Sequence, residues 1–198
     1  MDKSFQIERF CHIRDNRILL NGETIFETDQ TDFSSFIKAA YKTLDVDYSK
    51  FFKMDNLSKL AFMSADILLK NETEKNVALV LSNKASSLDT DRKHQKSIAD
   101  STNFYPSPSV FVYTLPNICL GEISIKHGLY SENAFFVFDK FNPSALLDYT
   151  NSLLHIGGTE KVLCGWVDFD NGKYDAFLYV VAKKGTFAHT TKELIRLY

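Results

Sequence analysis

The sequence predicts an α/β fold, a layered mixed sheet with helices on both faces. Three observations predict it. Short aliphatic and β-branched runs alternate with amphipathic stretches, the pattern of strands separated by helices. Two Asn-Gly dipeptides, Asn21-Gly22 and Asn171-Gly172, lie between apolar runs and mark hairpins, which a purely parallel sheet does not contain. The chain has 198 residues, enough for one domain with a full core and no disulfide or metal staple, so residues 1–198 are expected to form a single domain.

Cys11–Glu27 reads as a hairpin, with Ile18-Leu19-Leu20 and Thr24-Ile25-Phe26 flanking the Asn21-Gly22 turn. Asp32–Leu44 carries Phe33, Phe36, Ile37, Ala40 and Tyr41 at helical spacing, and a second amphipathic run starts at Asn56. Val77–Leu81 is a continuous aliphatic strand, followed by a polar segment, Ser82–Thr102, in which Asp89-Thr90-Asp91 caps a short helix. The next helix runs from Pro116, at its first position, to a left-handed stop at Gly128. Ala134–Phe138 reads as a covered strand, Asn142-Pro143 as the start of a helix through Ser144–Ile156, and Gly157-Gly158 as its end. Val162–Val167 and Tyr174–Ala182 are two strands joined around Asn171-Gly172, and Thr190–Tyr198 is ambiguous.

Lys and Arg number 23 and Asp and Glu 25, and the two signs are interspersed. No basic footprint for a phosphate backbone results, so nucleic acid is not an expected partner. The apolar runs are strand-sized, short of the roughly 20 residues of a membrane-spanning helix, so no membrane association is expected either. Cys11, Cys119 and Cys164 are odd in number and lack Cys-x-x-Cys spacing, and no apolar leader opens the chain, which points to a cytoplasmic setting.

No complete catalytic constellation is visible, and no cofactor or metal is expected. Asp89, Asp91 and His94 suggest a metal cluster but lack a fourth ligand nearby. Cys164, with His127, His155 or His189 as base, suggests a nucleophile, yet it lies inside an apolar strand where burial raises a thiol pKa. Cys119 lies near a helix start that would favour a thiolate if open, but Ile118 and Leu120 beside it favour burial. His127, just before Gly128, fits a helix C-terminus, where the exposed carbonyls favour a partly positive ring. The Gly157-Gly158 pair follows a helix instead of preceding one, the wrong order for a phosphate loop.

Three segments in order resemble β-ketoacyl synthases. Lys53-Met54-Asp55-Asn56-Leu57-Ser58-Lys59-Leu60-Ala61 is similar to the entry of an early synthase helix. Leu115-Pro116-Asn117-Ile118-Cys119-Leu120-Gly121-Glu122-Ile123-Ser124-Ile125-Lys126-His127-Gly128-Leu129 resembles the family's Pro-Asn, small-residue, Ile-Ala-Ile and His-Gly-Leu pattern, and is the specific match. Val162-Leu163-Cys164-Gly165-Trp166-Val167-Asp168 resembles the strand that carries Gly-Gly and an acid, with Trp166 in place of the second glycine.

The resemblance covers roughly residues 50 to 183 and implies the N-terminal half of the thiolase-like fold. It also implies a place for the nucleophilic cysteine, the turn between a strand and a buried helix. Here that turn reads Asp139, Lys140, Phe141, Asn142 and Pro143, with no cysteine and with a lysine at the positive helix end. The family's two histidines belong to the second half of the fold, which this chain is expected to lack.

What the resemblance implies is a non-catalytic synthase-like subunit of fatty-acid, polyketide or polyene-pigment biosynthesis, partnered by an acyl carrier protein or a condensing enzyme. The strand before the turn, Asn133, Ala134, Phe135, Phe136, Val137 and Phe138, is then expected to pair across a two-fold axis in a homodimer or a heterodimer with a synthase-like subunit. A lone half is further expected to leave a bare apolar helix layer that something must cover. Two rival readings stand beside this one: a thioester hydrolase or acyltransferase using Cys119 or Cys164, and an interaction domain unrelated to acyl chains.

Overall fold

The computed structural model describes residues 4–30, 32–102 and 104–198. Its strands are β1 (Gln6–Arg14), β2 (Arg17–Leu20), β3 (Glu23–Glu27), β4 (Val77–Asn83), β5 (Asn133–Val137), β6 (Lys161–Asp170), β7 (Lys173–Ala182) and β8 (Phe187–Ala188). They form one sheet in the order β3-β2-β1-β7-β6-β4-β5, with β8 beside β1. β4 runs parallel to β5 and β6, and the other pairs are antiparallel. The sheet is therefore mixed, as the two hairpin signals require.

Both Asn-Gly turns form where expected, with φ of 53° and 89° at Asn21 and Gly22 and 49° and 78° at Asn171 and Gly172. Positive φ at both central residues matches the twist of the flanking strands. An additional turn at Asp15-Asn16 has φ of 50° and 56°, so the first hairpin extends to a three-stranded meander beginning at Gln6.

The helices are α1 (Phe33–Thr43), α2 (Asn56–Leu69), α3 (Leu88–Ile98), α4 (Pro108–Val112), α5 (Ile118–His127), α6 (Pro143–Ile156) and α7 (Thr191–Leu197). Strand alternation divides the core in two. Leu79, Leu81, Leu163, Leu178 and Val180 face the layer of α1, α2 and α5, whereas Val80, Val162, Cys164, Phe177 and Tyr179 face α6 and α7. In β1 a register shift between Ile7 and Arg9 places Ile7 and Phe10 on the same face despite their odd spacing.

Several expectations need correction. Pro116 precedes α5 by two residues, and Asn117 is its N-cap. α3 is entered from Ser87, and Asp89 and Asp91 lie in its first turn, where their charge favours the helix dipole without capping it. The strand read as covered, Ala134–Phe138, is β5, the open edge of the sheet, with Asn133 and Val137 exposed. The ambiguous C-terminal segment is α7, capped by the Thr190 hydroxyl on the Glu193 N–H at 3.2 Å.

The expected bare helix layer is also absent from α6. Its outward residues are Ser144, Asp148, Ser152 and His155, so the helix presents a polar face, with only Ile156 apolar at its end. Exposed apolar side chains instead gather around α3 and α4, as Leu88, Phe104, Tyr105, Phe111, Val112 and Leu115.

Candidate functional site

The carboxyl ends of parallel strands are where α/β sheets place ligands, because the connecting loops and helix N-termini converge there. Here β4, β5 and β6 end together. β4 passes into a loop held by Asn83, whose side chain accepts from the Ser86 N–H at 2.9 Å and donates to the Ser86 carbonyl at 2.8 Å. Asp168, on β6, accepts the N–H groups of Lys84 at 3.1 Å and Ala85 at 2.9 Å, fastening that loop to the neighbouring strand. β5 passes into the Asp139–Pro143 turn, with the Phe138 N–H bonded to the Asn83 carbonyl at 2.8 Å.

The turn, Val137, Phe138 and Lys84 line a cleft of about 520 Å3. Asn142 caps α6 by accepting from the Ala145 N–H at 3.1 Å, and Pro143 opens the helix. Asn142→Ala is expected to lower stability by about 1 kcal/mol, read as a reduced urea midpoint at unchanged slope. Asp139 and Lys140 are exposed. Phe141 turns inward, its ring 4.4 Å from Tyr198, 5.7 Å from Phe177 and 6.4 Å from Trp166.

This aromatic wall continues through His12, stacked on Phe177 at 4.7 Å. Tyr198 is fixed from three sides. Its hydroxyl donates to Asp175 at 2.6 Å, its carbonyl accepts from Arg14 at 2.9 Å, and the Arg14 guanidinium lies 4.9 Å from its ring centre. Sequence reasoning missed this wall. Its one local signal is the aromatic alternation Phe177 and Tyr179 on β7, and the partners come from separate parts of the chain, His12 and Tyr198 near its two ends and Phe141 and Trp166 between them.

All three cysteines are free and buried. Cys164 accepts from the Thr150 hydroxyl at 3.3 Å, and burial pushes its thiol up to about 11. The Cys119 thiol donates to the Pro116 carbonyl at 3.1 Å, and burial pushes it, like Cys11, far above the usual thiol range. Neither candidate nucleophile lies on the cleft, and both hold a neutral thiol at pH 7.

The histidines are dispersed. His127 ends α5 with Nε2 3.2 Å from the Asp66 carboxylate, so its side chain is oriented by an acid and not by the helix carbonyls alone. His155 lies edge-on to Phe5 at 4.9 Å, and His189 Nδ1 faces the Asn151 side-chain oxygen at 3.1 Å. Of the suggested metal cluster, Asp89 pairs with Lys93 at 2.8 Å, Asp91 accepts from Ser87 at 3.3 Å, and His94 packs on Phe111 at 5.2 Å. Among the described residues no group of three metal-ligating side chains converges, and no helix is long and apolar enough to cross a membrane.

Comparison with solved structures gives a consistent neighbourhood. A ketosynthase in complex with its chain length factor from Xenorhabdus doucetiae matches at a TM-score of 0.63 and 16% identity, over 98% of this chain and 90% of that one. The fold is ketosynthase-like. The same ketosynthase-like, thiolase-like architecture appears in the ishigamide ketosynthase/chain length factor, at a TM-score of 0.65 and 18% identity over 90% of this chain. It appears again in a type II polyketide synthase acyl carrier protein in complex with its hexaketide-bound ketosynthase, at a TM-score of 0.63 and 11% identity over 98% of this chain. This chain spans 62% and 64% of those two chains, whereas it is close in length to the matched Xenorhabdus chain. No family model and no curated protein matches the sequence.

Proposed function

We propose that this chain is a non-catalytic ketosynthase-like subunit, formed as a single domain by residues 1–198, that pairs with a synthase-like partner in acyl-chain assembly. The observation that carries the reading is the turn at the end of β5. Where the resemblance calls for a nucleophilic cysteine, Asp139, Lys140, Phe141, Asn142 and Pro143 offer no thiol, and Phe141 fills the space behind the turn with an aromatic ring. Lys140 adds a cation at an already positive helix end, but the turn holds no group to accept an acyl chain. The length match to one chain of a ketosynthase and chain length factor complex supports a partnered role, and the carrier-protein complex among the fold neighbours supports an acyl carrier protein as a second contact.

The partner-facing element in this reading is β5, Asn133–Val137 with Phe138. It is the open edge, and an exposed strand edge carries unpaired N–H and C=O groups ready to extend a sheet. Antiparallel pairing of two copies centred on Phe136 would set Glu132 opposite Lys140 and Asn133 opposite Asp139, a charge-matched register for a homodimer.

Two measurements test the reading. Incubation with acyl-carrier thioesters followed by mass spectrometry is expected to leave the chain without an acyl adduct, and an adduct on Cys119 or Cys164 would replace this proposal with the acyltransferase reading. Co-expression with a ketosynthase and a carrier protein is expected to give a stable complex that Val137→Lys disrupts while leaving the subunit folded, since Val137 is 55% exposed. Failure to capture either partner would count against the subunit role.

A further inference from the structure

Residues 101–121 contain no charged side chain, although charged residues make up 24% of the sequence. A run of this length without charge suits a core, yet much of it lies at the surface. Phe104, Tyr105, Phe111, Val112 and Leu115, with Leu88 from the start of α3, are between 45% and 79% exposed. Contacts between α3 and the segment around α4 join them into one patch. The Tyr105 N–H bonds the Ser97 carbonyl at 3.2 Å, the Ser87 hydroxyl donates to the Thr114 carbonyl at 2.5 Å, and Phe111 packs on His94. Between the two helices the patch sinks into a groove of about 390 Å3, walled by Ile98, Phe104, Pro106 and Phe111.

The area of the patch is that of an interface. A full aromatic side chain presents about 200 Å2, so Phe104, Tyr105 and Phe111 at 55%, 79% and 59% exposure leave about 400 Å2 of ring surface in water. Leu88, Val112 and Leu115 extend it toward the ~800 Å2 that each partner buries in a stable interface. Isolated monomers rarely leave a contiguous apolar patch of this size bare.

Charge selects the occupant. In a two-fold contact a patch meets its own copy, so any net charge on it faces its like. This patch has none. On α3 beside it, Arg92 is paired with Asp170 and Lys93 with Asp89, and Lys96 lies across the helix from the groove residues His94 and Ile98. A strongly charged partner finds no counter-charge here, whereas a copy of the chain presents a matching apolar face.

We propose that the α3–α4 patch is the face through which a second copy of this chain docks, the two related by a two-fold axis. The inference rests on the paired-subunit reading above, the second copy being itself a ketosynthase-like chain. In the helix layer, α1 packs beside β3 and α2 over β1, β7 and β6, which leaves α5, on the far side of α2, toward the β5 edge. α5 ends where β5 begins, so its start, and α4 before it, lie toward the carboxyl end of β5, where Val137 is exposed. Patch and strand edge thus share one side of the molecule. The strand sets the register of the pair, and the patch contributes its apolar area.

Light scattering and sedimentation equilibrium of the intact chain at micromolar concentration are expected to show a dimer. Leu115→Lys and Leu115→Glu each bring like charges together in the patch and are each expected to weaken the dimer by about tenfold or more, with no loss of secondary structure. Mixing the two variants is expected to restore pairing, because opposite charges then meet. Tyr105→Glu, at the most exposed ring, repeats the test should Leu115→Lys fold poorly. A monomeric wild type, or a dimer indifferent to both positions, would overturn the proposal. If only Val137→Lys dissociates the dimer, the strand edge stands and the patch falls. A chain that is monomeric alone but is held by a co-expressed ketosynthase through Leu115 would rule out the second copy as occupant while leaving the subunit role intact.

Discussion

Gly165→Ala is expected to prevent folding or to destabilise the chain by more than about 4 kcal/mol, the range reached only by severe backbone or core conflicts. Gly165 sits mid-strand in β6 with φ of +149°, and a Cβ built there would lie 2.1 Å from the Phe177 carbonyl and 3.0 Å from the Leu178 Cα. Both contacts are backbone atoms of β7, the strand most closely paired with β6, and cannot be moved by a side-chain rotation. Relief would require breaking the Gly165–Leu178 register at the centre of the sheet, between the two halves of the core. Ser82 adds to the cost, because its hydroxyl donates to the Gly165 carbonyl at 3.0 Å from β4. The measurement is soluble yield followed by denaturant unfolding. A variant with a wild-type midpoint would show that β6 and β7 separate more easily than this packing allows. Gly22→Ala serves as the contrast, since a Cβ there meets no atom within 4 Å and the strain is confined to one exposed turn.

That contrast marks what the sequence makes legible. Asn21-Gly22 and Asn171-Gly172 announce their turns because positive φ at two successive positions is a local demand that few residues meet. α6 is legible at both ends for a similar reason: Asn142 supplies a cap, Pro143 needs no N–H partner in the first turn, and Gly157 takes φ of +79°. α7 carries an equally local signal, Thr190, whose hydroxyl caps the helix, three residues before Glu193.

Neighbour relations are a different matter. Ala134–Phe138 has the apolar run of a covered strand, but which strands flank it depends on residues far along the chain, and only the resemblance pointed to the edge position that β5 takes. The candidate site divides the same way. The missing thiol in the turn and the burial of Cys164 follow from local residues, whereas the inward course of Phe141 depends on Tyr198, contributed by the last residue of the chain. The polar outer face of α6 is legible at helical spacing in Ser144, Asp148, Ser152 and His155, whereas the expectation of a bare layer follows from the resemblance alone.

Acid is expected to unfold the protein in two stages, and the sign follows from which state binds more protons. His12 and His189 are both held at about 4, His12 by burial first and the Arg14 cation second, against a hydrogen bond to the Leu197 carbonyl, and His189 by burial. An unfolded histidine titrates near 6.5, so between about pH 6.5 and 4 the unfolded chain binds protons that the folded chain refuses. Stability is therefore full above pH 6.5 and falls as pH drops toward 4, by about 2 to 3 kcal/mol for each ring. Against a total stability of roughly 5–15 kcal/mol this loss is large. The second stage belongs to Glu72. Burial alone pushes its carboxyl up, but hydrogen bonds from Lys161, the Glu74 N–H and Arg9 outweigh that and hold it at about 2. Its contacts with Arg9 at 2.7 Å and Lys161 at 2.8 Å are thus present above the unfolded carboxylate pKa and lost as pH falls from about 4.5 to 2. Denaturant midpoints at pH 7, 5.5 and 4 measure the first stage. The His12→Phe, His189→Gln double variant keeps an aromatic ring on Phe177 and a polar group beside Asn151 but has no proton to take up, so its midpoint should stay nearly level over the range in which the wild type falls. A parallel decline in both proteins would assign the acid sensitivity elsewhere. Glu72→Gln separates the stages, because it should weaken the protein at pH 7 by about 2 kcal/mol while leaving the histidine-dependent slope intact.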